Sequence, residues 1–236
     1  MRKELLELTG ALRDHIVAER ESGKGISGLY LKGNLCALSF PPIDSVPDNE
    51  AMRVRSETLD DIRAELGECT RCKLYNGRHH IVFGEGDPHA DLVFVGEAPG
   101  GDEDRQGRPF VGRAGKLLSD IIKAMGLTRE QVYICNILKC RPPQNRNPEP
   151  DEIAMCEPFL VKQLRAIRPR MICALGKFAA QTLLKTDTPI SVLRGRFHSY
   201  HDIRLMPTYH PAYLLRNPGA KKQTWEDVQV IMKELR

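Results

Sequence analysis

Apolar residues recur at two periods along this chain, and the place where the pattern changes divides it. In the first twenty residues Leu5, Leu8, Leu12 and Ile16 fall at helical spacing with charges between them, which predicts one amphipathic helix. Residues 21–50 follow with "ESGKGISG" and "SFPPIDSVPDNE", runs of Gly, Ser and Pro that read as a linker or loosely packed arm. The stretch "LYLKGNLCALSF" between them has the length of a short hairpin. From residue 56 the texture becomes regular. "SETLDDIRAELGEC" begins with cap residues and closes its helical pattern at Gly67.

Short apolar runs and amphipathic stretches then alternate. "DLVFVG" (91–96), "QVYICNIL" (131–138) and "MICALG" (171–176) read as buried strands. "GRAGKLLSDIIKAMG" (112–126), "PDEIAMCEPFLVKQLRAIRP" (150–169), "KFAAQTLL" and the closing "KKQTWEDVQVIMKEL" read as helices. "GRFHSYHDIRLMPT" (195–208) predicts two strands turning at His201–Asp202. The alternation predicts an α/β fold, a three-layer α/β/α sandwich with a small, mostly parallel central sheet. Residues 1–55 stand apart as an N-terminal helix and arm, and residues 56–236 form the main domain.

Composition narrows the picture little. The chain of 236 residues is 41% hydrophobic and 28% charged, an ordinary globular balance. A net charge of +4 is compatible with a polyanionic partner. No apolar run approaches the ~18 residues of a membrane helix, and "MRKELLELTG" lacks the apolar stretch of a signal peptide, so a cytoplasmic setting is expected. In that reducing setting seven cysteines argue for metal ligation over disulfides.

In parallel sheets ligands bind beyond the carboxyl ends of the strands, and the distinctive residues fall there. After the first strand comes "GEAPGGDEDRQGRPFVGRAG" (96–115), whose glycines permit close approach, and which carries Phe110, an aromatic that either caps the core or offers a flat face to a ligand. At the second strand Asn136 sits among apolar residues; its amide either bonds nearby backbone or reads the edge of a base. Arg141 and Arg146, between prolines, suit phosphate contacts or a solvated loop. After the last strand "PTYHPAYLLRNP" places His210 before a proline, then an apolar loop, Tyr213, Leu214 and Leu215, beside Arg216. A wedge pushed into a base stack demands such a loop.

Cys69 and Cys72 in "ECTRCKL" form half a metal site with no second pair close by. Cys140, where a strand gives way to a loop, and Cys156, on the next helix, could complete it. Cys36 and Cys173 read as small buried hydrophobes. Four thiolates suit zinc or an iron–sulfur cluster, and spacing leaves both open.

Taken in order behind "CTRCKL", the motifs "GEAPG", "GRPFVGRAG", "NILKCRPPQNR" and "HPAYLLRNP" resemble the family-4 uracil-DNA glycosylases, the iron–sulfur branch of their superfamily, over about residues 66–220. The resemblance implies a DNA repair enzyme that flips uracil from single- or double-stranded DNA and hydrolyses its N-glycosidic bond. It implies a [4Fe–4S] cluster on Cys69, Cys72, Cys140 and Cys156, with Phe110 stacking on the base, Asn136 reading its edge and His210 bonding O2. Glu97 and Ala98 belong to the water-activating motif, Gly96 is expected against the substrate, and Gly100, also expected there, stands where the superfamily often carries a tyrosine against thymine. Ala98 stands where better-known glycosylases carry aspartate, so Glu97 or backbone groups are expected to position the water. Glu103 is the expected block to the C5 methyl of thymine, and Leu214 the expected wedge, with Tyr213, Arg216, Arg141 and Arg146 on the DNA. A monomer is expected, and nothing in the chain identifies a protein partner. A relative that binds uracil-DNA covalently carries a histidine-bearing insertion that "KCRPPQNRNPEP" lacks. A cluster-bearing DNA binder without activity would leave Phe110, Asn136 and His210 unexplained, and a nucleotide hydrolase would have no use for the "AYLL" loop.

Overall fold

A computed structural model of the chain describes residues 57–236. The expected N-terminal helix, the arm with Cys36 and the boundary at residue 55 lie outside the described residues. Helix α1 (Leu59–Leu66) opens on a capping box between Thr58 and Asp61 and closes at Gly67, as its sequence requires. There follow β1 (Glu85–Gly86), β2 (Leu92–Gly96), α2 (Gly101–Gln106), α3 (Arg113–Ala124), β3 (Tyr133–Asn136), α4 (Pro150–Ile167), β4 (Met171–Leu175), α5 (Lys177–Leu184), α6 (Ile190–Leu193), β5 (His198–Tyr200), β6 (Ile203–Thr208), α7 (Pro211–Arg216) and α8 (Lys221–Leu235).

The six strands form one sheet in the order β1-β3-β2-β4-β6-β5. The four inner strands are mutually parallel, and each edge strand joins antiparallel. Every residue of β2, β3 and β4 is buried, so their side chains alternate between two cores instead of between core and water. Val93, Val95, Cys135, Ile172 and Ala174 join Leu160, Leu164 and Ala180 on one face. Leu92, Phe94, Ile134, Met171 and Cys173 meet Leu118, Ile122, Val228 and Ile231 on the other. These are the three layers the pattern predicts. A smaller cluster, Ile62, Leu66, Phe83 and Phe159, seats α1 on α4.

The β5–β6 turn falls at His201–Asp202, both with positive φ (47° and 65°), as a tight hairpin demands. Two stretches expected as loops are helical. "GDEDRQ" forms α2, with the Glu103 carboxylate reaching back to the Gly100 N–H, and "PAYLLR" forms α7, started by Pro211 at its first turn. Among the described residues no helix is long and apolar enough to cross a membrane.

Candidate active site and cysteine recess

The carboxyl ends of four parallel strands deliver the parts of one cavity. β2 runs into Glu97, Ala98 and Gly100, β3 ends at Asn136, β4 gives way to Gly176, and β6 leads through Tyr209 to His210; all line the cavity, together with Phe110. Gly96 lies beneath it, paired with Asn136 across the parallel ladder. A Cβ at Gly96 would come 2.6 Å from the Phe110 ring and overlap Asn136 Oδ1, so a glycine is what lets the aromatic and the amide converge.

Each polar group there is in a defined state. Asn136 is 1% exposed, and its buried Oδ1 has no hydrogen-bond partner among the described residues. A buried acceptor left open is an uncommon feature that needs a reason. His210 caps α7: its Nδ1 accepts the Ala212 N–H at 3.0 Å, which leaves the ring proton on Nε2. Burial, aided by the positive charge of Arg216 and opposed by Glu103, pushes its pKa down to about 4, so the ring is neutral near pH 7 and its Nε2–H is a donor. The His210 and Phe110 rings lie 5.6 Å apart, tilted by 33°. Glu97 carries no side-chain hydrogen bond among the described residues, and burial pushes its pKa up to about 7.

Three residues expected to contact base or DNA have other neighbours in this structure. Leu214 is only 1% exposed, because "AYLL" is helical and this residue turns inward toward Leu117, Ile121 and Trp225; the exposed apolar side chains of α7 are Tyr213 and Leu215. Glu103 lies in the cavity wall, but its carboxylate accepts the backbone N–H groups of Gly100, Val111 and Gly112 and is not free to meet a C5 substituent. Arg146 also lines the cavity, yet its guanidinium forks onto the fully buried Glu152 instead of pointing free toward phosphate. Arg141 bonds the Asn145 side chain at 2.8 Å and packs beside Gly101. Arg216 is exposed at the cavity, and Tyr213 stacks on Tyr209 at 5.0 Å.

A second recess is lined by Cys69, Cys72, Cys140 and Cys156. The first two follow α1, Cys140 lies past the end of β3, and Cys156 is on α4, so three segments meet there. Backbone and side-chain donors face the sulfurs: the Lys139 N–H points at Cys156 Sγ (3.2 Å) and an Arg78 N–H at Cys140 Sγ (3.5 Å). Burial pushes the Cys140 thiol up and the Cys156 thiol to about 11, so the recess favours neutral sulfur unless a cation neutralises the thiolates. Among the described residues no three His, Cys, Asp or Glu side chains gather tightly enough for one metal ion. Four thiols around one mostly apolar recess, with N–H donors aimed at sulfur, fit a larger thiolate-held group. Cys135 and Cys173 are buried in the two cores, away from it.

The chain belongs to the uracil DNA glycosylase superfamily, whose sequence profile matches residues 83–229. Within it the chain is similar to type-4 uracil-DNA glycosylases: 44% identical to that of Archaeoglobus fulgidus over 183 residues, 74% of this chain and 92% of the relative. It is 43% identical to the type-4 enzyme of Thermotoga maritima over 70% of this chain and 88% of the relative. A type-5 uracil-DNA glycosylase of Pyrobaculum aerophilum is 34% identical over 57% of this chain and 66% of the relative.

Several residues of the site escaped the sequence reading. Tyr209 lines the cavity, and Lys139 is buried with its ammonium on the Asn136 carbonyl and the Gln163 side chain. A lysine inside the apolar run "NILKC" was the available signal for the second; nothing marked the first.

Proposed function

We propose that this chain is a monofunctional uracil-DNA glycosylase that takes uracil from DNA into the cavity beyond β2 and β3 and hydrolyses its N-glycosidic bond. The observation that carries the reading is the convergence, over Gly96, of an aromatic face, an unpartnered amide oxygen and a neutral histidine donor. Phe110 stacks on the flipped base and Asn136 meets its Watson–Crick edge. As the C1′–N1 bond breaks, the electron pair leaves with uracil, and the negative charge that grows on O2 is met by the His210 Nε2–H. Water attacks C1′ and gives its proton to Glu97, whose raised pKa suits a base working near neutrality. Ala98 leaves room beside that water and supplies no second carboxylate. Tyr213 and Arg216 at the mouth, with Leu215 exposed on the same helix, hold the opened DNA, and Arg141 stands on the neighbouring loop.

The resident cofactor is a [4Fe–4S] cluster on Cys69, Cys72, Cys140 and Cys156. When bound it supplies a covalent tie between the loop after α1, the end of β3 and α4. Lys139 and Arg78 hold the thiolate sulfurs through their N–H groups. The enzyme works as a monomer on single- or double-stranded DNA, and a thiol-held cofactor suits a reducing cytoplasm.

The test uses the purified brown holoprotein on end-labelled oligonucleotides with one uracil, as single strand, U:G and U:A, beside a T:G control. Alkali-sensitive breaks at uracil and none at thymine are expected. Intact cluster absorbance with no breaks would replace the enzyme by a DNA-binding protein.

A further inference from the structure

Phe110 is held in an unusual backbone conformation. Its φ of 51° lies in the left-handed region, which bulky residues seldom occupy without constraint. Its ring is 6% exposed, over Gly96 and beside His210. What keeps it there is not the ring's own packing alone, because the peptide groups on both sides of it are gripped by two charged side chains.

On one side Arg129 donates Nη2–H to the Pro109 carbonyl at 2.8 Å and Nη1–H to the Phe110 carbonyl at 3.2 Å. On the other, Glu103 Oε1 accepts the N–H groups of Val111 and Gly112, both at 2.9 Å. A left-handed residue turns successive N–H groups the same way, and the concavity they form suits an anion. Both grips are anchored in turn. Arg129 also reaches Glu85 at 3.2 Å and Ser119 at 3.3 Å, and Glu103 takes the Gly100 N–H at 3.1 Å. On α3, Gly115 has no side chain where a Cβ would overlap the Phe110 carbonyl oxygen.

We infer that Arg129 and Glu103 are positioning residues that clamp the Phe110 backbone from opposite sides, so that its ring is preset to receive the flipped base. This rests on the proposed function for its purpose, though not for its geometry. Arg129 does not line the cavity; it meets the cavity's wall through the carbonyls of Pro109 and Phe110. The planar fork matters, because two carbonyls, a carboxylate and a hydroxyl are reached by one guanidinium; an ammonium cannot span them.

The clamp predicts non-additivity. In the holoenzyme, Arg129→Ala should raise the protein concentration for half-maximal single-turnover cleavage of a uracil oligonucleotide about tenfold, with a smaller change in the maximal rate. Arg129→Lys should recover little of this, and Gly115→Ala should resemble Arg129→Ala. In a Phe110→Ala background, Arg129→Ala should cost nothing further. Equal losses in both backgrounds would make Arg129 a structural residue and overturn the inference. A second arm does not depend on cleavage: with 4-fluorophenylalanine incorporated, the fluorine signal of Phe110, assigned through Phe110→Leu, should shift or broaden in Arg129→Ala and in Glu103→Gln. An unchanged signal in folded, brown variants overturns the clamp. Wild type that leaves uracil uncleaved would overturn the proposed function instead, while the fluorine arm still decides the clamp.

Discussion

The cavity and the cysteine recess flank the same end of the sheet, yet they are built on opposite principles. The recess draws donors of one chemical kind from three distant segments, and its lining is otherwise apolar apart from Arg71, Arg78 and Lys139. The cavity draws an amide, an imidazole and a carboxylate from the ends of parallel strands and an aromatic from the loop before α3, and holds each in a set state by a neighbouring backbone group or by burial. With the proposed cluster bound, the first would be a staple, whose worth is measured by what falls apart without it. The second is a preset constellation, whose worth lies in small displacements. Substitutions in the two should therefore fail differently, and that is the sharpest way to test the division.

The largest effect is expected at the staple. Cys156→Ala should abolish the brown colour, lower the melting temperature and remove cleavage together, since a metal-held tie couples folding to binding; a colourless variant with wild-type melting and activity would erase the contrast. His210→Ala should instead keep colour and melting while single-turnover cleavage falls by about 10²–10³-fold, the usual loss for one donor at a growing oxyanion. Glu97→Gln should lower the rate by about 10²-fold, within the range for a general base. The wild-type rate should rise with pH through about 7, where Glu97 loses its proton, and that limb should vanish in the variant. His210 should contribute no limb there, because with its pKa down at about 4 it is already neutral. A rate limb near 7 that survives in Glu97→Gln would assign the water to another group.

Smaller effects separate the inner and outer sides of α7. Leu214→Ala should cost about 2–4 kcal/mol of stability, as buried leucines do, with single- and double-stranded DNA affected alike. Leu215→Ala should leave melting unchanged and lower cleavage of duplex relative to single strand; equal loss on both would remove it from the residues that hold the opened duplex. Smallest is the change expected for arginines at the mouth. Arg216→Ala should reduce the salt dependence of DNA binding by about one counterion, whereas Arg146→Ala, its charge committed to Glu152, should not.

The fold was largely legible because fully buried strands and amphipathic helices leave different periods. The strand pairing at His201–Asp202 and the helix stops at Gly67 and ahead of Pro169 followed from local chemistry, and the positions of Phe110, Asn136 and His210 after strands brought them to one edge. What could not be read was the partner of each side chain. Whether Glu103 meets a ligand or a loop depends on where Val111 folds back, and whether Arg146 meets phosphate depends on Glu152 six residues on; a charge in a motif has the same letter in both cases. Leu214 and Leu215 are neighbours in sequence, and only the register of a six-residue helix decides which one faces solvent.

The unpartnered oxygen of Asn136 has a consequence for the bases that must be left alone. An acceptor buried without a donor costs roughly 1–3 kcal/mol, and among the described residues no protein group donates to this one. In the proposed pose uracil presents a ring N–H that would relieve it. Cytosine, the genome's own base and the parent of most uracil, presents a lone pair at the same ring position, so two acceptors would face each other in a site from which water has been expelled. On that reading refusal of cytosine would require no wall: the open acceptor is met by the lesion's N–H and opposed by the lone pair of its precursor.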